Sequence, residues 1–288
     1  MRRAALTGLL LTFATLAPLA HAQTTELWRL GGFVGPESVA RDPATGKFYV
    51  SSFGKDPMSK DDDGVLSIIT ADGQIEKMDW LTGLDAPKGL DIAGGKIFVT
   101  DIDRLLEIDI ASAQVINSYT TDGVQFLNDV AIGPDGKVYV SDTFASAVYV
   151  LEGGTLSLFA QDKLLAGANG LFVQDGALLV ADLGDISGGF DKVTPGPVVK
   201  IDLATKAMTA YGAEGPVGVL DGVEPDGAGG LLLTDNPAGT VLSLQPGGTA
   251  SVIATVGAGA ADLEVDPDTG LILVPITPAN EIVALKRN

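Results

Sequence analysis

From Gln23 onward the chain alternates short apolar runs with clusters of Gly, Asp, Pro and Asn, and helical periodicity is nearly absent. The runs are rich in Val, Ile, Leu, Tyr and Phe, which is typical of β-strands separated by tight turns. In the clearest example Asn128 opens an apolar strand, Gly133-Pro134-Asp135-Gly136 forms a turn, and a second strand ends at Ser141-Asp142. The pattern predicts an all-β protein.

This two-strand phrase recurs along the whole chain at intervals of about 40 to 52 residues. Its six copies open at Glu37, Lys88, Asn128, Asn169, Asp221 and Ala261. Each interval leaves room for two further strands, and four short strands in a repeat of about 40 to 45 residues are typical of a β-propeller blade. We therefore predict that residues 23–288 form a single six-bladed β-propeller domain.

The last repeat is one strand short, because only the run from Glu281 to Leu285 follows its two-strand phrase. The segment from Thr25 to Leu30 precedes the first repeat and has no other predicted partner. We expect this N-terminal strand to complete the last blade and to close the ring, which removes sheet edges that would otherwise be open.

Two repeats are longer than the others because each carries an insertion between its second and third strands, at residues 53–64 and 183–197. In an up-and-down blade this loop emerges on the face where the first strand begins. Both insertions are therefore expected to overhang the face on which the repeats open. Loops on a rigid scaffold commonly determine specificity.

Residues 1–22 have the organisation of a signal peptide: a basic start at Arg2-Arg3, an apolar run from Ala4 to Leu19, and the cleavage signal Ala20-His21-Ala22. We expect a secreted or periplasmic protein. The apolar run is short for a membrane span, and no later stretch qualifies. Cleavage would remove the only histidine, and the chain has no cysteine. This composition argues against Ser-His-Asp and Cys-His catalysis, His-dependent metal sites and thiolate zinc.

The chain is strongly acidic, with 37 Asp and Glu residues against 18 Lys and Arg and a formal net charge of −19 at pH 7. Such a charge argues against nucleic acid and anionic membranes as partners. Most of these carboxylates are interpreted as solvated surface groups. Asp101, Asp142, Asp182 and Asp235 end second strands in four repeats, and we interpret them as structural residues that cap turns.

The residues that open the six repeats carry the candidate chemistry. The first strand of each propeller blade lines the central channel, so these residues should converge at one face. Four of them supply a side-chain oxygen: Glu37, Asn128, Asn169 and Asp221. Such hard donors suit Ca²⁺ best, with Mg²⁺ or Mn²⁺ as alternatives. Asn-Gly, Asn-Asp and Asp-Gly are also ordinary turn dipeptides, but recurrence at equivalent positions favours a metal site.

These phrases resemble those of the SMP-30/gluconolactonase/LRE-like family of six-bladed propellers. The residues that carry the resemblance are Gly35-Pro36-Glu37-Ser38-Val39, Asn128-Asp129-Val130, Asn169-Gly170-Leu171 and Asp221-Gly222-Val223. The resemblance implies that Glu37, Asn128, Asn169 and Asp221 hold a single divalent cation. It also implies that Asp221 is the catalytic carboxylate.

Together with the signal peptide, the resemblance implies an exported, metal-dependent hydrolase that opens a small lactone or ester in the channel, with no organic cofactor. A non-catalytic propeller that binds a ligand or protein, with a structural calcium, is the alternative, because the four oxygens serve both. Lys88 should share the channel mouth, where it either stabilises an anionic substrate or product or balances the charge of Glu37 and Asp221. We assign Asp129 to substrate binding or to orienting Asn128.

Overall fold

The computed structural model describes residues 23–288 and consists of six four-stranded antiparallel sheets, which are the blades of a propeller. The all-β class and the six-bladed architecture predicted from the sequence are confirmed. The predicted signal peptide, residues 1–22, lies outside the described residues and stays a prediction. Within residues 23–288, no helix is long and apolar enough to cross a membrane.

The strands follow one another along the chain in an up-and-down order. The N-terminal strand is β1 (Thr24–Gly31). Blade one consists of β2 (Pro36–Arg41), β3 (Phe48–Ser52), β4 (Gly64–Ile69) and β5 (Ile75–Leu84). Blade two consists of β6 (Pro87–Ala93), β7 (Lys96–Asp101), β8 (Arg104–Asp109) and β9 (Gln114–Tyr119). Blade three consists of β10 (Leu127–Ile132), β11 (Val138–Asp142), β12 (Ala147–Glu152) and β13 (Thr155–Gln161).

The second half of the chain repeats this order. Blade four consists of β14 (Ala168–Gln174), β15 (Ala177–Asp182), β16 (Val198–Asp202) and β17 (Met208–Ala210). Blade five consists of β18 (Leu220–Pro225), β19 (Leu231–Asp235), β20 (Thr240–Leu244) and β21 (Ser251–Thr255). Blade six contains β22 (Glu264–Val265), β23 (Leu271–Ile276) and β24 (Glu281–Arg287). Single-turn 3₁₀ helices lie at Lys163–Leu165, Phe190–Lys192 and Thr277–Ala279.

The N-terminal strand closes the ring, as the sequence predicts. Strand β1 pairs antiparallel with β24, from Thr24 opposite Arg287 to Gly31 opposite Glu281, and becomes the fourth strand of blade six. The indole Nε1 of Trp28 also donates a hydrogen bond of 3.1 Å to the carbonyl of Ala71 in blade one. The two ends of the chain thus hold the first and last blades together.

Burial decreases from the inner to the outer strands of each blade. In blade three, β10, β11 and β12 are almost fully buried, whereas β13 alternates buried and exposed residues. The core consists of apolar layers between neighbouring blades, such as the cluster in which Tyr139 and Val148 of blade three pack with Leu171 and Val180 of blade four. Each buried aliphatic side chain contributes about 1.5–3 kcal/mol, so these layers stabilise the packing of neighbouring blades around the channel.

The aspartates that end the second strands cap the loops leading into the first strands. Asp142 accepts hydrogen bonds from the backbone N–H groups of Gln125 (2.7 Å) and Phe126 (3.0 Å), just before β10. Asp101 accepts one from the N–H of Ala86 at 2.7 Å, just before Lys88 in blade two. The structural interpretation of these carboxylates is therefore confirmed. In blades two to five they fix the backbone immediately before the residue that opens the blade.

Candidate functional site

All six residues that open the repeats line a single cavity at one mouth of the channel. The cavity has a volume of about 480 Å³ and contains Glu37, Lys88, Asn128, Asn169, Asp221 and Ala261. The four predicted metal ligands and Lys88 are each less than a tenth exposed. The predicted convergence of these residues on one face is thus observed. The loops at residues 53–64 and 183–197 also reach this cavity, as expected, through Met58 and Phe190 among others.

These residues occupy local irregularities in the first strands. In blade three the pairing between β10 and β11 shifts register between Leu127 and Val130, and equivalent shifts occur in blades one, two, four and five. A β-bulge leaves residues unpaired and redirects their side chains. The freed N–H of Asp129 donates to the Oγ of Ser141 at 2.8 Å. Ser141, which precedes the strand-ending Asp142, thus accepts the hydrogen bond of a backbone N–H group that the bulge leaves unpaired.

Asp221 is held between two amide side chains. Nδ2 of Asn169 donates to its Oδ1 at 3.1 Å, and Nδ2 of Asn236 donates to its Oδ2 at 2.7 Å. Burial raises the pKa of Asp221 to about 6, and the two amide hydrogen bonds oppose that rise. The two amides hold both carboxylate oxygens in fixed positions, and a carboxylate oriented in this way can accept a proton from a neighbouring water molecule.

Glu37 carries an oxygen without a protein partner. Its side chain is 8% exposed, and its buried Oε2 has no hydrogen-bond donor within the described part of the chain. Burial raises the pKa of Glu37 well above its usual range, the charges of Asp221 and Asp262 raise it further, and Lys88 opposes them. An ionised carboxylate is costly to bury without a compensating cation. The unpartnered oxygen is thus a natural position for one.

Both asparagines use their amide nitrogens to contact the protein. Nδ2 of Asn128 donates to Oγ1 of Thr143 at 3.0 Å, and that hydroxyl donates to the carbonyl of Ala168 at 2.8 Å. Nδ2 of Asn169 is likewise engaged with Asp221. With the nitrogens occupied in this way, the amide oxygens are the atoms left to serve a ligand.

Lys88 places an ammonium group at the same cavity. Its Nζ donates to the carbonyl of Ala86 at 3.0 Å and lies 4.4 Å from the centre of the Phe126 ring. Burial lowers the pKa of Lys88 to about 8, and the charge of Glu37 opposes that shift. The carbonyl and the aromatic face hold the amine in place without a direct ion pair to either predicted carboxylate ligand.

The donor set fits a divalent cation that prefers oxygen. It offers two carboxylates, whose charge balances that of the ion, and two amide oxygens that add ligands without charge. Within residues 23–288, no three His, Cys, Asp or Glu side chains are grouped as a metal site. The candidate site therefore depends on the two asparagines as much as on Glu37 and Asp221.

The sequence analysis missed the residues that follow the second strands. Thr143 holds Asn128, and Asn236 holds Asp221, each from the position directly after a strand-ending aspartate. The same position in other blades supplies further cavity residues, namely Phe53, Leu183 and Thr277. The signal in the sequence is their fixed position, directly after the second strand of a blade. We call these residues the outer ring: Phe53, Thr143, Leu183, Asn236 and Thr277.

Asp129 does not line this cavity. It lies one residue further along β10 and lines a second cavity of about 340 Å³, together with Asp91, Glu224, Asp262 and Glu264. Its Oδ2 accepts a hydrogen bond of 2.6 Å from the N–H of Leu171 in the next blade. The expectation that Asp129 contacts substrate next to Asn128 is therefore not supported, because the strand carries its side chain toward the other end of the channel.

The carboxylates of the second cavity, which we call the acidic cavity, link neighbouring blades. Oδ2 of Asp91 accepts from the N–H of Ile132 at 2.8 Å, and Oε2 of Glu264 accepts from the N–H of Arg41 at 3.3 Å. Burial raises the pKa of Asp91 to about 6 and that of Asp262 to about 7. Burial and the charge of Asp91 raise the pKa of Glu264 to about 8. The cavity thus concentrates carboxyl groups that resist ionisation.

The fold and the site together define a six-bladed β-propeller with an oxygen-lined cavity at one channel mouth. No protein-family model matches the sequence, and no curated protein matches it. Among solved structures, a gluconolactonase from Xanthomonas campestris is similar, with a TM-score of 0.69 and 15% identity over 92% of this chain and 89% of its own. A streptogramin B lyase is similar with a TM-score of 0.65 and 14% identity over 93% of this chain and 100% of its own.

A third similar structure is a catalytically inactive histidine-to-alanine variant of virginiamycin B lyase from Staphylococcus aureus with quinupristin. Its TM-score is 0.61 at 17% identity, over 92% of this chain and 99% of its own. At such identities the similarities show a shared fold. The presence of a gluconolactonase among the structural neighbours agrees with the family suspected from the sequence.

Proposed function

We propose that this chain is a divalent-cation-dependent hydrolase of the gluconolactonase type, which opens a small lactone or ester at the channel mouth. The observation that carries the proposal is the pairing of Asp221, held between two amides, with the unpartnered Oε2 of Glu37 in one cavity. Asn128 and Asn169 complete the proposed ligand set. When bound, a cation of this kind supplies electrostatic stabilisation of the negative charge that develops on a carbonyl oxygen.

Asp221 is the group that activates water. Its carboxylate accepts a proton from a water molecule as the water oxygen bonds to the carbonyl carbon. The ring C–O bond then breaks, and the departing alkoxide takes up the proton from Asp221, so that the product is a hydroxy acid. Asn236 and Asn169 keep the carboxylate oriented through both oxygens during these steps. The ammonium group of Lys88, which lines the same cavity, stabilises the carboxylate of the product in this proposal.

The lyase chemistry of the other structural neighbours is less well supported. The virginiamycin B lyase variant that lacks one histidine is catalytically inactive. The present sequence has a single histidine, His21, which lies in the predicted signal peptide. The residues at the channel mouth therefore favour hydrolysis by a carboxylate. A non-catalytic propeller with a structural cation stays the alternative.

The test is a lactone hydrolysis assay with and without a chelator, on the wild type and on Asp221→Asn. We expect activity that the chelator abolishes and calcium restores, and a loss of at least about 100-fold in kcat for Asp221→Asn. Asp135→Asn, in an exposed turn, is the matched control and should retain full activity. The calcium affinity of the wild type and of Glu37→Gln should be measured by calorimetry in parallel.

The two outcomes that count against the proposal are distinct. Calcium binding without turnover of any sugar, alkyl or aryl lactone would establish the non-catalytic alternative. If calorimetry detects no binding of a divalent cation to the wild type and Glu37→Gln leaves the activity unchanged, the metal site itself is refuted.

A further inference from the structure

The walls of the channel-mouth cavity differ in character from its floor. Above the polar residues that open the blades, the lining side chains are apolar: Phe53, Pro57, Met58, Phe126, Leu183 and Phe190. Most of them belong to the loops at residues 53–64 and 183–197, the insertions that lengthen two of the six repeats. The insertions therefore build the wall against which the non-reacting part of a substrate would lie.

An aromatic series runs from the floor of the cavity to its rim. Phe126 stacks on Phe144 with ring centres 4.6 Å apart and planes inclined by 16°, and Phe144 contacts Phe190 at 6.0 Å. Phe126 is 7% exposed, whereas Phe190 is 57% exposed and Met58 is 53% exposed. Large apolar side chains at the rim of a concave site gain contacts when an apolar ligand covers them.

Both loops are anchored to the scaffold, so the wall exists before any ligand binds. The N–H of Phe53 donates to the carbonyl of Gly35 at 2.9 Å, and Lys60 forms an ion pair of 2.6 Å with Asp103 in blade two. In the other loop, the N–H of Leu183 donates to the carbonyl of Gly167, and the N–H of Gly196 donates to the carbonyl of Gly218, each at 2.8 Å. A preformed apolar wall favours substrates of matching shape.

Apart from the oxygens of the proposed metal ligands, the polar groups of the cavity make hydrogen bonds to the protein. Asn236 donates to Asp221, Lys88 donates to the carbonyl of Ala86, and Oγ1 of Thr277 donates to the carbonyl of Pro36 at 2.8 Å. The wall side chains supply no hydrogen-bonding atoms. Hydroxyl groups of a sugar lactone that lie along this wall would lose hydrogen bonds to water without replacement, which disfavours their binding.

We infer that the cavity selects lactones or esters that carry an aryl or medium-length alkyl group over polyhydroxylated sugar lactones. The inference rests on the proposed function and names its substrate class. The carbonyl group of the substrate lies at the oxygen-lined floor, while the apolar group lies along the wall from Phe126 to Phe190. A volume of about 480 Å³ accommodates a bicyclic aryl lactone.

Hydrolysis by the calcium-loaded wild type is measured with dihydrocoumarin, γ-butyrolactone and glucono-1,5-lactone. We expect kcat/KM to be highest for dihydrocoumarin and lowest for gluconolactone. In Phe190→Ala the ratio of kcat/KM for dihydrocoumarin to that for γ-butyrolactone should fall about ten-fold, since the variant removes contacts that only the larger substrate makes. Leu158→Ala is the matched control, because Leu158 is 51% exposed on the outer strand of blade three.

A binding arm separates failure of this inference from failure of the proposed function. The lactam analogue of dihydrocoumarin and gluconolactam are titrated into the calcium-loaded protein by calorimetry, which requires no turnover. Tighter binding of the aryl lactam, weakened in Phe190→Ala, supports the inference even if no lactone is hydrolysed. The inference is overturned if the protein prefers gluconolactam or gluconolactone, or if Phe190→Ala affects all ligands equally. Either result leaves the hydrolase proposal intact.

Discussion

The acidic cavity makes a specific prediction about how the stability of this protein depends on pH. Glu264 is half-buried there, and burial together with the charge of Asp91 raises its pKa from 4.5 to about 8. In the unfolded chain a glutamate ionises near its ordinary pKa. The folded state therefore binds a proton over a pH range in which the unfolded state has lost it, and stability must fall as the pH rises. Substitution of Glu264 by Gln, which copies the protonated form, removes this contribution.

The magnitude follows from the same pKa. Each pH unit between the unfolded and folded pKa values costs about 1.4 kcal/mol of folding free energy. From pH 5 to pH 8 the cost for Glu264 is therefore at most about 4 kcal/mol. Because water screens a half-buried group, we expect Glu264→Gln to gain roughly 2 kcal/mol at pH 8 and much less at pH 5. The Gln amide oxygen can still accept the hydrogen bond from the N–H of Arg41.

The assay is urea denaturation of the wild type and Glu264→Gln at pH 5, 7 and 8, in buffer with a chelator so that no divalent cation contributes. Glu152→Gln, an exposed substitution on β12, is the control for the loss of one negative charge. The reasoning is refuted if the wild type is as stable at pH 8 as at pH 5. It is also refuted if both Gln variants change the stability by the same amount at pH 8.

Three further substitutions test other parts of the structure. Trp28→Ala should destabilise the protein by about 2 kcal/mol in urea denaturation, because it weakens the contact between the closing strand and blade one. Asp142→Ala should cost about 3 kcal/mol or more in the same assay, since it leaves several buried N–H groups without an acceptor, whereas Asp142→Asn should cost less. Gly170→Ala should weaken calcium binding, measured by calorimetry, about ten-fold, because the added Cβ would lie 2.3 Å from the carbonyl oxygen of Asp221. Gly31→Ala is the control and should not change it, because no atom lies closer than 3.8 Å to its Cβ.

The fold could be predicted from the sequence because the same physical requirement recurs in every blade. Each pair of inner strands needs two apolar runs joined by a tight turn, and this pattern repeats from Glu37 to Ile276. In that pattern the last repeat lacks one strand, and the run at Thr24–Gly31 belongs to no repeat. The N-terminal run could therefore be assigned to blade six. Convergence of the residues that open the blades then follows from the ring geometry.

The outer ring and the apolar wall could not be predicted in the same way. Asn236 and Thr143 become recognisable only when their hydrogen bonds to Asp221 and Asn128 are known, because nothing in a single loop residue shows which side chain it contacts. Phe190 lies in the insertion at residues 183–197, which is outside the pattern that all the repeats share. The separation of Asp129 from Asn128 was not predictable either, because a bulge lies between the two pairing registers of the strand and the two residues line different cavities.

The bulge also explains why the residues that open the blades can differ although the blades share one backbone structure. Its backbone is satisfied from outside the ring, by hydroxyl groups such as Ser141 and by capping carboxylates such as Asp142. The side chain that opens each blade is therefore not needed to hold the strand, and it differs from blade to blade between Glu, Lys, Asn, Asp and Ala. The next residue along the strand is under a different constraint, because Asp129 must bind the N–H of Leu171 in the adjacent blade. One position is thus free to provide a site while its neighbour joins the blades.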